Sequence, residues 1–236
     1  MIRSVILQAP EKFYDVVPIF VEECKKRNLF DKYYIATDFK GASIDGCFIL
    51  HLEKDYHFSG NILRLLPHVK EEVFYLIVED HIPKDNDIDI MNRHLSHVIN
   101  NKEIGFLRLS HGSSVKLRKI KNGIGNMDKS YEYYISLQPA IWRKSFLSKV
   151  LKDGENAWVA EINGSKRAKK IKSFISCGVS KTIFNHSNFY SKGEYIRNQY
   201  IDYCIKNGME IPKNRKIYYK KSPISLDEYL KIRNSR

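Results

Sequence analysis

The chain has 236 residues, of which 43% are hydrophobic and 28% charged. This is the composition of a soluble globular protein, and it excludes disordered and fibrous architectures. The length suits one large domain, or one domain with a small appendage, and supports a sizeable core without disulfide staples. Lys and Arg exceed Asp and Glu by 40 to 27, and the excess is one-sided: residues 1–118 hold 16 basic and 17 acidic side chains, while residues 119–236 hold 24 and 10, a net of +14. A polyanion is the natural partner of that half, whether nucleic acid, an anionic membrane surface or a phosphorylated substrate.

In chain order, Ser4–Gln8 (SVILQ) reads as a first strand broken by Pro10. Tyr14–Arg27 reads as a helix with Pro18 in its first turn, and Tyr33–Thr37 (YYIAT) as a second strand. Phe48–Leu52 is a short third strand. Ser59 reads as the cap of a helix over Gly60–Leu66 that stops at Pro67. Val73–Val78 (VFYLIV) is a continuous apolar run, hence a strand covered on both faces, and it ends at Glu79-Asp80-His81. A helix over Ile88–Ile99 and a strand over Gly105–Leu109 follow, then a Gly-, Ser- and Lys-rich loop or irregular hairpin over His111–Lys129.

Pro139–Leu151 carries Ile141, Trp142, Phe146, Val150 and Leu151 at helical spacing and reads as an amphipathic helix, with a shorter helix over Glu155–Ile162. Beyond Gly164 come SKRAKKIKS, short strand-like pieces at Ser173–Ile175 and Thr182–Phe184, a helix near Tyr195–Lys206 and a basic tail. Alternation of strands and helices indicates an α/β fold with a mostly parallel sheet flanked by helices. The expected layout is one domain over 1–190 with a basic helical extension over 191–236.

The four cysteines, Cys24, Cys47, Cys177 and Cys204, have neither zinc-ligand nor CxxC spacing. The opening MIRSVILQAPEKF is too short in apolar residues for a signal peptide, and no stretch reaches the roughly 18 apolar residues of a membrane span. The expected location is the cytoplasm. P-loop, HExxH, GxSxG and Rossmann GxGxxG motifs are absent from the sequence, which removes the commonest NTPase, zincin, hydrolase and dehydrogenase readings.

In open α/β sheets the ligand crevice lies at the carboxyl ends of the strands. Glu79 and Asp80 follow a strand that is apolar throughout, where their carboxylates could hold Mg or Mn against a diphosphate. Asp38 follows the second strand and suits a ribose or base, and Gln8 or the Ala9 backbone, after the first, suits a base.

The segments VFYLIVEDHIP, IGFLRLS and YYISLQPAIWRKSFLSKVLKDGENAWVAEINGSKRA resemble the core of GT-A type glycosyltransferases of bacterial surface-polysaccharide clusters, over about residues 59–168. The most specific part is SLQPAIWRK with the following GE-x-x-W and EI-x-GS-x-RA; in place of the usual DxD stand the adjacent carboxylates Glu79-Asp80. The resemblance implies a GT-A-like (Rossmann-like) fold and transfer of a sugar from a nucleotide-diphosphate donor to a hydroxyl of a saccharide or lipid-linked glycan, assisted by Mn or Mg. It implies Asp80 and His186 as metal contacts, Gln8, Ala9, Asp38 and Glu79 on the donor, and Glu155 or Glu161 as the base, with Glu155 slightly favoured. Gln138, Trp142 and Trp158 fall on the acceptor side.

On this reading the basic half docks on the anionic inner membrane face. One alternative is a glycosyltransferase acting on modified bases of phage DNA, and another is a non-enzymatic nucleic-acid-binding protein that stacks bases on tail tyrosines.

Overall fold

The structure, a computed structural model, describes residues 1–112, 115–191, 195–212, 216–219 and 222–234. Its strands in chain order are β1 (Ser4–Gln8), β2 (Lys32–Thr37), β3 (Cys47–His51), β4 (Val73–Leu76), β5 (His81–Pro83), β6 (Ile104–Arg108), β7 (Leu117–Lys121) and β8 (Ile124–Met127). They continue with β9 (Ala140–Arg143), β10 (Ile175–Val179), β11 (His186–Asn188), β12 (Tyr190–Ser191), β13 (Tyr195–Arg197), β14 (Ile217–Tyr219) and β15 (Ser222–Ile224). The helices are α1 (Val17–Lys26), α2 (His57–Leu65), α3 (Ile88–Asn100), α4 (Lys144–Val150), α5 (Ala157–Lys170), α6 (Asn198–Lys206) and α7 (Leu226–Asn234).

Two compact units result, one of Met1–Glu79 with Pro83–Asn185, the other of Asp80–Ile82 with His186–Arg236. The first is built on a nine-stranded sheet in the order β3-β2-β1-β4-β9-β6-β10-β8-β7. Strands β3, β2, β1 and β4 run parallel, and every residue of β1 and β4 is buried. The apolar runs Val5–Leu7 and Val73–Leu76 follow from that, since helices cover both faces of a parallel sheet. Successive side chains point to opposite faces, so Ile6, Phe74 and Leu76 join a core with Ile62 of α2, Phe146 of α4 and Ala160 of α5. From the other face the Tyr75 hydroxyl donates to the Met91 carbonyl of α3 at 3.0 Å. Helix α3 begins where Asp87 accepts the Ile90 N–H at 2.9 Å, a side-chain cap.

Three expectations give way. The Pro139–Leu151 segment is a strand followed by a helix: β9 pairs antiparallel with β4 on one side and β6 on the other, and only Lys144 onward turns into α4. An apolar run buried on every side satisfies either period, and here the two flanking strands decide for β. Ser59 is not a cap, because α2 already starts at His57, whose φ is +60°; the buried Ser59 sits inside the first turn and its N–H donates to the Glu155 carbonyl at 3.0 Å. Thr182–Phe184 forms no strand.

The second unit is mixed rather than helical. Among the described residues, β12, β13, β14 and β15 form a four-stranded sheet beside α6 and α7, and β5 pairs with β11. Tyrosines that read as solvent-facing stackers pack on one another instead, with the Tyr195 and Tyr218 rings 5.8 Å apart and Tyr219 edge-on to Tyr229 at 5.4 Å.

Candidate active site

Parallel β1, β2 and β4 bring Gln8, Asp38 and Glu79 to one sheet edge. Gln8 is held by a relay that the sequence did not reveal. Asn61 of α2 donates from Nδ2 to Gln8 Oε1 at 3.0 Å and to Asp55 Oδ1 at 2.9 Å, while its Oδ1 accepts the Tyr56 N–H at 2.9 Å. A backbone N–H only donates, so the Asn61 amide has one orientation and fixes that of Gln8. Gln8 therefore keeps Nε2, a donor, for a ligand. Ala9 is committed to the sheet: its N–H donates to the Ala36 carbonyl at 3.0 Å and the residue is buried. Asp38 Oδ1 accepts the Glu11 N–H at 2.7 Å and steadies the turn after Pro10.

The chain then passes from Glu79, which is buried, to Asp80 in the second unit. The Asp80 carbonyl accepts the Phe189 N–H at 2.9 Å and its Oδ2 the Tyr190 N–H at 3.3 Å. Burial pushes the Asp80 carboxyl up to about 6, against the pull of the Tyr190 N–H and the Arg197 charge. His81 lies with Nε2 3.9 Å from Asp80 Oδ1, and its ring packs on His186 with centroids 4.1 Å apart. Burial, with the charges of His186 and Arg197, holds His81 well below the usual histidine range, so it is a neutral imidazole. Among the described residues no group of three or more His, Cys, Asp or Glu side chains is disposed to hold a metal ion.

Because β9 runs antiparallel to both β4 and β6, its N-terminal end lies at the carboxyl ends of those strands. Ala140 is opposite Leu76 and Arg108, and the Leu109 N–H donates to the Pro139 carbonyl at 2.9 Å. Gln138 thus reaches the same edge as Gln8 and Glu79. Glu161 of α5 joins it by accepting the Leu137 N–H at 2.7 Å. Burial raises the Glu161 pKa against that N–H and the Arg108 charge.

Glu155 is differently placed. The Arg167 guanidinium grips both its oxygens, Nη1 to Oε1 at 2.9 Å, and Asn163 Nδ2 donates to Oε1 at 3.2 Å. Burial acts to raise this carboxyl, but the Arg167 fork and Asn163 outweigh it and the pKa is lowered. Trp142 offers no face to a sugar: the indole is 0% exposed in β9, against Phe106 at 4.5 Å and Phe146 at 6.2 Å. Trp158, in the first turn of α5, is 60% exposed.

No family model and no curated protein matches this sequence. Among solved structures, S. aureus TarS 1–349 in complex with UDP-GlcNAc superposes with a TM-score of 0.57 at 10% identity, over 82% of this chain and 60% of that one. Mannosyltransferase PcManGT from Pyrobaculum calidifontis, in complex with GDP-Man and Mn2+, gives 0.54 at 9% identity over 80% and 57%. A UDP-glucose pyrophosphorylase complexed with UDP-glucose gives 0.51 at 11% over 78% and 92%. The fold is GT-A-like. The chain spans 60% of the TarS fragment's length, and the GT-A-like likeness carries architecture.

Proposed function

We propose that this chain is a glycosyltransferase that takes a sugar from a nucleotide-diphosphate donor and passes it to a hydroxyl of a saccharide or lipid-linked glycan. The observation that carries the reading is the convergence, on one sheet edge, of an oriented amide at Gln8, a carboxylate at Asp38 and a raised-pKa carboxylate at Glu161. Gln8 Nε2 donates and Asp38 accepts. That pair complements a base presenting a keto oxygen beside an imide N–H, as uracil and guanine do, whereas cytosine and adenine present an amino donor and a ring-nitrogen acceptor.

Glu161 is the base for the acceptor hydroxyl. Burial raises its pKa toward working pH, which makes it a stronger base. Glu155, locked in the Arg167 fork, holds α5 instead. Gln138, beside Glu161 on the chain entering β9, binds acceptor or donor hydroxyls.

Asp80 with His186 would hold the divalent ion, and Glu79 supports the donor. Such an ion neutralises the charge that builds on the departing diphosphate. The donors present suit it: Mg and Mn take few protein carboxylates and complete their shell with water and phosphate oxygens, so a closed protein cage is not required.

The test is thermal shift and calorimetric titration with UDP, GDP, CDP and ADP, with and without Mn, on the wild type and Asp80→Ala. UDP or GDP should stabilise the protein with Mn, and Asp80→Ala should remove the Mn-dependent part. Tightest binding of CDP or ADP would refute the base assignment, and no binding of any nucleotide with Mn would refute the transferase. In that case tight salt-sensitive binding of duplex DNA would favour the nucleic-acid reading of the basic half.

A further inference from the structure

Helix α5 is seated by small residues. Ala160, Gly164, Ser165 and Ala168 face inward; the Ser165 hydroxyl donates to the Ile135 carbonyl and accepts the Ile135 N–H, both at 3.1 Å. A Cβ on Gly164 would come within 2.8 Å of Ile135 Cδ1, so the helix lies as close to its neighbour as a backbone can.

The outward face of α5 is divided along its length. With about 100° between successive residues, Trp158, Ile162 and Lys169 form one row and Val159, Lys166 and Lys170 the next. Trp158 is 60% and Val159 38% exposed, with Ile162 part-exposed, so the first half is an apolar projection. The second half is cationic. Lys129 adds to it, since its Nζ donates to the Lys169 carbonyl at 3.4 Å. Neither row contains an acid; Glu155 is engaged with Arg167, Glu161 with the Leu137 N–H, and Asp128, beside Lys129, with Arg118.

We propose that the outward face of α5 is a docking surface for an anionic lipid bilayer. Trp158, Val159 and Ile162 enter the headgroup–acyl boundary, and Lys129, Lys166, Lys169 and Lys170 meet lipid phosphates. An indole beside aliphatic side chains is the pattern of that boundary, and clustered lysines supply the attraction to anionic headgroups. Two aliphatic side chains at the tip have no counterpart in a nucleic-acid backbone, and this favours lipid over DNA. The docking surface is argued from α5 alone and does not depend on the transferase reading.

The protein carries its own probe, because its second tryptophan, Trp142, is wholly buried and silent to solvent. Vesicles containing phosphatidylglycerol should shift the emission to the blue and co-sediment the full chain, and added salt should reverse both. Pure phosphatidylcholine vesicles should do neither. Charge reversal by Lys166→Glu, Lys169→Glu and Lys170→Glu should lower partitioning by at least about a hundredfold, since each lysine lost alone is worth about fivefold. Trp158→Ser should lower it about tenfold, the low end for burying a large apolar side chain, without changing the melting temperature. Unaltered emission on anionic vesicles, partitioning indifferent to the triple charge reversal, or an emission shift with duplex DNA in place of vesicles would each overturn the proposal.

Discussion

The two halves of the nine-stranded sheet reach the same edge by opposite routes. In the half made of β3, β2, β1 and β4, the strands are parallel, and three of them deliver residues at or just beyond their carboxyl ends: Gln8 closing β1, Asp38 after β2 and Glu79 three residues past β4. In the half made of β9, β6, β10, β8 and β7, directions are mixed, with β6 and β10 parallel to each other, and antiparallel β9 delivers Gln138, two residues before its amino end, with Glu161 anchored one residue earlier. A single reversed strand therefore sets a second class of side chains opposite the first. On the proposed reading, binding groups come from the parallel half and the proton-accepting group from α5, anchored beside the mixed half.

That division can be broken by substitution. The largest effect is expected at Glu161: Glu161→Gln keeps an oxygen for the Leu137 N–H but removes the base, and turnover should fall by about 10²–10⁴ with nucleotide affinity little changed. An equal loss in Glu155→Gln, measured in the same sugar-transfer assay, would move the base to Glu155 and undo the assignment. In the parallel half, Asn61→Ala releases the Gln8 amide. UDP or GDP should bind about tenfold more weakly, the worth of one hydrogen bond at about 1.4 kcal/mol, with discrimination against CDP and ADP reduced alike. Calorimetry that finds discrimination intact would show that the Asn61 relay does not orient Gln8.

The smallest effect sharpens the contrast between the two glutamates. The Glu155 carboxyl is lowered in the folded protein, so its contribution is present above the ordinary value of about 4.3 and lost as pH falls through the folded value. Glu155→Gln should cost on the order of 1–3 kcal/mol at neutral pH and progressively less in acid. Glu161 is raised, so its contribution is complete below about 4.3 and lost as pH rises through the folded value. The melting temperature of Glu161→Gln should therefore gain on that of the wild type as pH rises from acid to neutral. Parallel pH profiles for the two variants would contradict the opposed environments.

Much of the parallel half was legible because its signal is local. The VIL of SVILQ and the whole of VFYLIV are apolar runs built around wholly buried strands, and only a covered strand or a core helix tolerates that. AIWR carries the same signal, but whether four buried residues form helix or strand is decided by β4 and β6, which lie far away in sequence. The site was legible in residue types and not in their states. Gln8 and Asn61 are 53 residues apart, and no periodicity links them. Glu155 and Glu161 look alike in sequence until Arg167, twelve residues beyond the first, closes on it. His81 was passed over although it neighbours Asp80, since its packing on His186 joins strands β5 and β11 from distant parts of the chain.

Strand β9 also imposes an order on synthesis. The sheet places residues 140–143 between 73–76 and 104–108, so a nascent chain carries two largely apolar strands, β4 and β6, that wait for the strand that will lie between them. Strands β1 to β4 can zip together as they emerge, while β6 can enter the sheet only after some thirty further residues have left the ribosome. During that interval the open edges of VFYL and IGFLR are templates for pairing with other chains. Chains stopped before Ala140 should accordingly aggregate, and those that extend through β10, which covers the other edge of β6, should be the shortest to stay in solution.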